Sequence, residues 1–413
     1  MHELHLRGSE GKSFKRAPVD STGMRAQNSS LIVQLIWTEQ RISRVEIARR
    51  TGLAPSTVSL IVGTLSEAGL VREIGTQTSA RGRRPTLLTF NDDVYNILGL
   101  ELGIRHVAVA LTNLRGKVRA FRTERNELRA GPESTLDKLR ELVAECVKEG
   151  KVAKKKLLGI GVGVPSPINQ RQPGLLSERL YPSWAGYDVK KSLEKSLRLP
   201  VFVDNDANLG ALAEQWWGAG VGQEDLVYVK IGAGIGAGHV LGGELYRGAA
   251  GTAGEIGHIC VDPRGPECSC GGRGCLTKFI GSDTLIPRAQ QLFKDKHAGI
   301  VTIADHARSG DAKAIALLEE VAEYLGQVVV GSLVNLMAPS VIVLGGEICN
   351  AGRLLLDPLR DYVSQRLLTP AFDPKNLVLS SLGQQSVAIG AATLYLNQAL
   401  HEPERFLLGE REQ

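Results

Sequence analysis

No apolar run in this 413-residue chain reaches the length that crosses a bilayer, and the polar N-terminus lacks a secretory hydrophobic core. A membrane-spanning or secreted protein is therefore not expected; the expected location is the cytoplasm. Cysteine is scarce. Of six residues, Cys146, Cys260, Cys268, Cys270, Cys275 and Cys349, three crowd into residues 268–275. That distribution suits a metal cluster in a reducing compartment better than a disulfide framework. Excess positive charge is missing from most of the chain. Residues 92–413 hold 36 Lys and Arg against 37 Asp and Glu, whereas residues 1–91 hold 13 against 7. A polyanionic partner is thus expected for the N-terminal part alone. What remains is an ordinary globular composition, 43% hydrophobic and 23% charged. The length is too great for one core and points to two or three domains.

Residues 1–23 mix Gly, Ser, Lys and Arg without periodicity and are expected to form a disordered tail. Residues 24–91 have the pattern of a winged helix-turn-helix. A first helix is expected from Asn28, with Leu31, Ile32, Leu35 and Ile36 on one face. Ser43 and Glu46 have the spacing of a capping box, opening a second helix that ends near Arg50. Thr51-Gly52-Leu53 makes a short turn. Pro55 then starts a third helix, with Val58, Ile61, Val62 and Leu65 as its buried stripe and Gly69 as its left-handed stop. Pro55, Ser56, Thr57 and Ser59 lie where a recognition helix reaches base edges in the major groove. Strands Leu70–Ile74 and Thr86–Phe90 flank a polar loop carrying Arg81, Gly82, Arg83 and Arg84. Arginines in such a wing suit a narrow, A·T-rich minor groove. The expected partner is double-stranded operator DNA.

From residue 92 onward, strands alternate with helices, which means an α/β domain. Three runs, Ile97–Ile104, Val107–Leu114 and Lys117–Thr123, read as strands joined by hairpins. A helix (Glu133–Glu149), a strand (Leu157–Val164), a helix (Asp188–Leu197) and a strand (Val201–Val203) follow. Asp204, Asn205, Asp206 and Asn208 cluster at the end of that last strand. They fit a polyhydroxylated ligand, and equally a helix cap. Another strand, Asp225–Ile231, leads into Gly232–Gly238, where the glycines suit either a phosphate-binding loop or a sharp hairpin. A further strand is expected at Ser340–Leu344 between helical regions, and a terminal helix at Ser386–Leu400. Between these lies the segment Gly254–Thr277, with His258, Cys268, Cys270 and Cys275. Cys3His is a standard closed set for structural zinc, and the loop has too few apolar residues to fold by burial.

The order of winged helix with Gly-Arg-Arg-Pro, Asn205-Asp206-Ala207-Asn208, Gly232–Gly238, Gly254-Glu255-Ile256-Gly257-His258 and the three cysteines resembles the ROK family. It is most similar to that family's sugar-responsive transcriptional repressors of the xylose and N-acetylglucosamine type. The resemblance implies an actin-like, two-lobed sugar-kinase fold. Lobe I would span about 92–203 plus the helix at about 386–400, and lobe II about 204–385. It also implies a sugar or sugar phosphate in the cleft, bound by Asn205, Asp206, Glu255 and His258. The zinc would be structural, on His258, Cys268, Cys270 and Cys275. A homodimer or dimer of dimers would bind a near-palindromic operator with A·T-rich flanks. In the family's kinases the aspartate matching Asp206 is the base. Those kinases carry Asp-x-Gly-Gly-Thr around ATP phosphates, where this chain has Glu101-Leu102-Gly103-Ile104-Arg105. Ile104 and Arg105 are expected to disrupt phosphate binding, so no enzyme is expected and Asp206 would be a vestigial base. Ser166 stands where the kinases have glycine, and Thr277 where they have a sugar-binding glutamate. Two alternatives are an active sugar kinase with a fused DNA-binding domain and a regulator triggered by a protein, its pocket vestigial.

Overall fold

Val58, Ile61, Val62 and Leu65 come round to one side of a helix because their spacing matches its turn, and all four are buried. In the computed structural model of the chain, which describes residues 21–76, 85–368 and 372–408, that stripe lies at the heart of the first of two compact units. Its elements are α1 (Ser21–Glu39), β1 (Ile42–Ser43), α2 (Arg44–Thr51), α3 (Pro55–Glu67), β2 (Val71–Thr76) and β3 (Thr86–Phe90). The strands form a sheet of order β1-β3-β2, with Val71 opposite Phe90 in the hairpin and Ile42 opposite Leu88. Gly52, at φ 70°, ends α2 and turns the chain toward α3. The C-terminal residues Ala399–Leu408 cluster with this unit, and Phe406 meets Phe90 edge-on at 6.2 Å.

Two local expectations differ from what is found. Helix α1 begins at Ser21 rather than Asn28, and so takes in residues 21–23 of the expected tail. Its first turns carry no apolar stripe, so periodicity misses them, but Met24, Arg25, Ala26 and Gln27 are good helix formers. The capping box forms by half. Ser43 Oγ accepts the Glu46 N–H at 3.2 Å, while the Glu46 carboxylate turns to Arg49 at 2.6 and 2.8 Å. The rest of the tail, residues 1–20, and the wing residues Arg81, Gly82, Arg83 and Arg84 lie outside the described residues.

The second unit, Asp92–Gln398, contains two five-stranded sheets built to one plan. The first combines β4 (Asn96–Leu102), β5 (His106–Asn113), β6 (Val118–Arg125), β7 (Leu157–Val164) and β8 (Val201–Asn205) in the order β6-β5-β4-β7-β8. Helices α4 (Pro132–Glu149) and α5 (Val189–Leu197) connect its later strands. After α6 (Asp206–Trp217) come β9 (Leu226–Ile231), β10 (Ile235–Leu241) and β11 (Glu244–Tyr246). Helices α7 (Thr277–Ile280), α8 (Ser282–Phe293), α9 (Ile300–Arg308) and α10 (Ala312–Val328) follow, then β12 (Val341–Gly345), α11 (Arg353–Ser364) and β13 (Leu377–Leu379). The second sheet has the order β11-β10-β9-β12-β13. In each sheet an antiparallel meander continues into parallel strands, and β4 and β9 are the central strands. Each sheet has its own apolar cluster, as the two lobes of an actin-like fold require. The chain closes with α12 (Ser386–His401) and α13 (Arg405–Leu408).

Glycine sets how closely the helices lie on these sheets. A Cβ at Gly161 of β7 would fall 1.7 Å from the Ala391 carbonyl oxygen, and one at Gly99 of β4 1.8 Å from that of Ala388. Helix α12 therefore lies directly on the first sheet. Gly161→Val should destabilise the protein by about 3 kcal/mol, since overpacking a closed contact forces the backbone apart. Urea denaturation followed by far-ultraviolet dichroism would register it.

Candidate ligand cleft and metal centre

Sheets of this class present polar groups beyond the C-terminal ends of their parallel strands. Glu101 is the last residue but one of β4, and Lys230 holds the same place in β9. Lys230 Nζ lies 2.6 Å from Glu101 Oε1 and 2.7 Å from Asp206 Oδ2, at the N-terminus of α6. The side chains are 15%, 2% and 10% exposed. His106 Nε2 approaches Glu101 Oε1 at 3.3 Å. Burial would raise the Glu101 carboxyl, but Lys230 and then His106 outweigh it and hold it at about 2. Burial likewise opposes the Lys230 charge, yet Asp206 and Glu101 outweigh it and raise its pKa. The Glu101 charge raises His106 in turn, against burial. One ammonium thus joins the central strands of both sheets and the first residue of α6.

The polar residues after β8 divide their work. Asp204 is buried, and its carboxylate takes Arg247 Nε at 2.7 Å and Asn208 Nδ2 at 3.1 Å, a brace within the lobe. Asn205 caps α6: its Oδ1 accepts from the Ala207 and Asn208 N–H groups at 2.9 and 3.2 Å. Its Nδ2 donates to the Ser166 carbonyl at 3.3 Å. The cap reading of this segment therefore holds for Asn205, whose oxygen serves α6 and whose amide nitrogen is bonded to Ser166 with one N–H to spare. Asp206 alone among the four joins the lysine.

These residues floor a cleft of about 860 Å3 between the two sheets of the second unit. Asn205, Asp206, Glu255, His258 and Thr277 all line it. Burial, and then the Asp206 charge, push the Glu255 carboxyl up to about 7. Ser166 also lines the cleft, and although nearly all of it is buried its hydroxyl accepts the Ser177 N–H at 2.9 Å. Gly232–Gly234 is the tight turn between β9 and β10, and Gly236 and Gly238 lie within β10. The glycine-rich stretch is thus the hairpin of the two readings. Across the cleft, Ile104 is buried, with its Cδ1 3.5 Å from where a Cβ on Gly234 would stand. At the mouth Arg105 meets Asp283 of α8 at 2.6 Å, and Arg129 meets it at 3.4 Å.

His258, Cys268, Cys270 and Cys275 converge, with their ligand atoms all within 4.8 Å of one another. His258 Nδ1 is 3.5 Å from Cys268 Sγ, and Cys270 Sγ is 3.6 Å from Cys275 Sγ. Tetrahedral zinc with Zn–S near 2.3 Å needs sulfurs about 3.7 Å apart, so the residues fit the ion. Backbone bonds fold the loop around them: Cys268 N–H to Gly272 O at 2.9 Å, and Gly274 N–H to Pro266 O at 2.8 Å. Ser269 of this loop and His258 also line the cleft, so the candidate metal cluster borders it directly.

In the first unit, Pro55, Ser56 and Ser59 are exposed on α3, Thr57 is half-buried, and Leu60 beside them is 59% exposed. Sequence reasoning passed over Leu60 as well as Lys230, His106, Arg129 and Asp283. Lys230 had a signal, a single charge inside the apolar strand Leu226–Ile231. Asp283 had none, since its partner Arg105 lies 178 residues away.

The family model described as ROK family matches residues 97–398, and one for winged helix-turn-helix DNA-binding matches residues 27–72. Over 381 residues the chain is 32% identical to the xylose repressor of Bacillus subtilis, covering 92% of this chain and 98% of that protein. It is 30% identical over 376 residues to the DNA-binding transcriptional dual regulator NagC of Escherichia coli, covering 89% and 91%. Among solved structures it is similar to a ROK family transcriptional regulator described as a homologue of the Escherichia coli MLC protein. The TM-score there is 0.76 at 26% identity, covering 94% of this chain and 98% of that one. A ROK family glucokinase from Streptomyces griseus, solved with glucose and AMPPNP, aligns with TM-score 0.63 at 27% identity, covering 72% and 98%.

The Glu101 shift sets an acid limit. A carboxyl held at about 2 in the folded chain, against the usual 4.5, contributes stability above pH 4.5 and loses it as the pH falls toward 2. Glu101→Gln should cost about 3 kcal/mol at pH 7, and the gap to wild type in urea denaturation should close across that acid window.

Proposed function

The chain belongs to the ROK family, and from that premise we propose that it is a sugar-responsive, DNA-binding transcriptional regulator that acts as a repressor. One observation carries the reading. A winged helix-turn-helix shares the chain with a cleft that keeps hydroxyl-binding groups while Ile104 and Arg105 occupy the phosphate side. Phosphoryl transfer depends on positioning and on charge stabilisation around the phosphates. In place of the small residues of the kinase phosphate loop stand a buried isoleucine against the Gly232–Gly234 turn and an arginine paired with Asp283, which supports the reading without phosphoryl transfer. The cleft volume is within the range of small-ligand sites.

In this reading a sugar or sugar phosphate lies against Asp206, Glu255 and His258, with the Asn205 amide as donor. Asp206 accepts from a hydroxyl. Zinc on His258, Cys268, Cys270 and Cys275 fixes the wall that carries Glu255; its four positions are filled by protein, so it supplies shape. Pro55, Ser56, Thr57 and Ser59 face base edges of an operator, and Arg81, Gly82, Arg83 and Arg84 reach its A·T-rich minor groove. A homodimer on a near-palindromic operator suits such units. The effector acts by binding one conformation better than the other. Retention of Asp206 and the likeness to the glucokinase favour a second reading, an active sugar kinase with a DNA-binding domain. ATP-dependent phosphorylation by pure protein, lost on Asp206→Asn, would establish that one.

Titrating sugars and their phosphates into an operator-binding assay should reveal one that weakens binding by about tenfold, within the usual coupling range. Glu255→Gln should abolish that response and leave operator affinity intact. No response to any member of the panel, with operator binding unimpaired, would move the trigger to a protein partner. Separately, Cys270→Ser should reduce zinc content from one per chain to near zero and lower the melting temperature. A folded wild-type protein free of zinc would remove the metal assignment.

A further inference from the structure

Lys230 has no part in the sugar reading, yet it is the most constrained charge of the cleft. Its ammonium sits between carboxylates from two different elements, at 2.6 and 2.7 Å. Glu101 lies on the central strand of one sheet and Asp206 at the head of α6. Two carboxylates at one dry place cannot both remain ionised without a cation between them. Proteins fill that need with a proton, a metal ion or a basic side chain. Here the basic side chain is delivered by β9, whose neighbours Val229 and Ile231 are fully buried and leave it no other course. His106 adds a second positive group on the Glu101 side at 3.3 Å.

We propose that Lys230 is the cleft's resident counter-cation, a positioning residue that holds Asp206 as a fixed hydrogen-bond acceptor and fills the place a divalent cation would take between Glu101 and Asp206. The consequence is specific. A hydroxyl reaching Asp206 meets a carboxylate already bonded on one oxygen to an ammonium, hence an acceptor of fixed orientation. Divalent cations gain no foothold, so a metal–nucleotide complex finds no anchor on this floor. This rests on the reading of the cleft as a binding site without phosphoryl transfer and gives that reading a cause.

The test uses full-length, zinc-saturated protein and Mn2+ as the probe, followed by loss of the free-ion signal in electron paramagnetic resonance. Wild type should show no cleft site. Lys230→Met, which keeps the chain length and removes the charge, should gain one Mn2+ per chain. Affinity should rise from weaker than about 1 mM to about 10 µM, the hundredfold that separates weak from sensor-grade carboxylate sites. Lys230→Arg should behave as wild type, and the double variant Glu101→Gln with Lys230→Met should fold and bind no Mn2+. Folding of Lys230→Met only in the presence of Mn2+ also supports the inference. A wild-type Mn2+ site that Glu101→Gln abolishes would overturn it. So would Lys230→Met that folds without gaining the ion, or that stays unfolded in Mn2+ whatever the double variant does. Neither sugar nor operator enters the measurement, so it stands or falls apart from the regulatory reading.

Discussion

A lysine held between two buried carboxylates governs how the second unit is put together. Burying a charge is costly unless it is paired and hydrogen-bonded, and here each of three charges depends on the others. The central strands of two sheets built to the same plan bring Glu101 and Lys230 to matching positions. Asp206 completes the set from the first residue of α6. With all three in place, each buried charge of the cleft floor has its partner. The mouth is different. Arg105 and Arg129 reach Asp283 through side chains that are 46%, 53% and 37% exposed. Exposed pairs of that kind contribute about 1 kcal/mol or less. The ion pairs of the floor are therefore buried and strongly coupled, and those of the mouth are exposed and weak.

The opposite wall depends on a second constraint of a similar kind. Residues 254–277 are rich in glycine and poor in apolar side chains; burial anchors them at Ile256 and Leu276, with Ile259 and Val261 packed in part against the same core. Between those anchors the chain is ordered by backbone bonds and by four ligand atoms gathered within 4.8 Å. A tetrahedral ion would join the same points. Because His258 belongs to both the cluster and the cleft, the position of Glu255 three residues earlier is tied to the geometry of the cluster. Floor and wall thus both depend on polar groups brought together from separate elements, the charges of Glu101, Lys230 and Asp206 on one side and the His258–cysteine cluster on the other.

Much of this was legible in the sequence because it follows local rules. The stripe Val58, Ile61, Val62 and Leu65 gave α3 its bounds, Pro55 to Glu67, and strand Leu157–Val164 was found at its full length. His258 and the three cysteines stood out by type and spacing, and their side chains meet. The polar cluster after β8 was found as a group, but its division was hidden. Whether an Asn caps a helix or faces a ligand depends on where the helix begins, and Asn205 does the first with its oxygen. The start of α1 was hidden because its first turns have helix propensity without an apolar face. Arg105 was noticed only as a residue out of place, since its partner Asp283 is distant in the chain.

Lys230 shows how one fold can carry two kinds of function. A kinase cleft gains rate only from contacts stronger in the transition state than in the ground state, and its base must be free to take a proton. The aspartate here has one oxygen bonded to an ammonium, which fixes the direction from which it accepts a hydroxyl. Binding energy then has no transition state to stabilise. It is available to favour one arrangement of the lobes over another, by as much as the ligand's affinities for the two arrangements differ. Ile104 and Arg105 stand at the segment where the family's kinases are expected to hold ATP phosphates, and Lys230 stands on the cleft floor beside Asp206. They are separate features of one cleft, and on the proposed reading both favour holding a ligand over transferring a phosphoryl group to it.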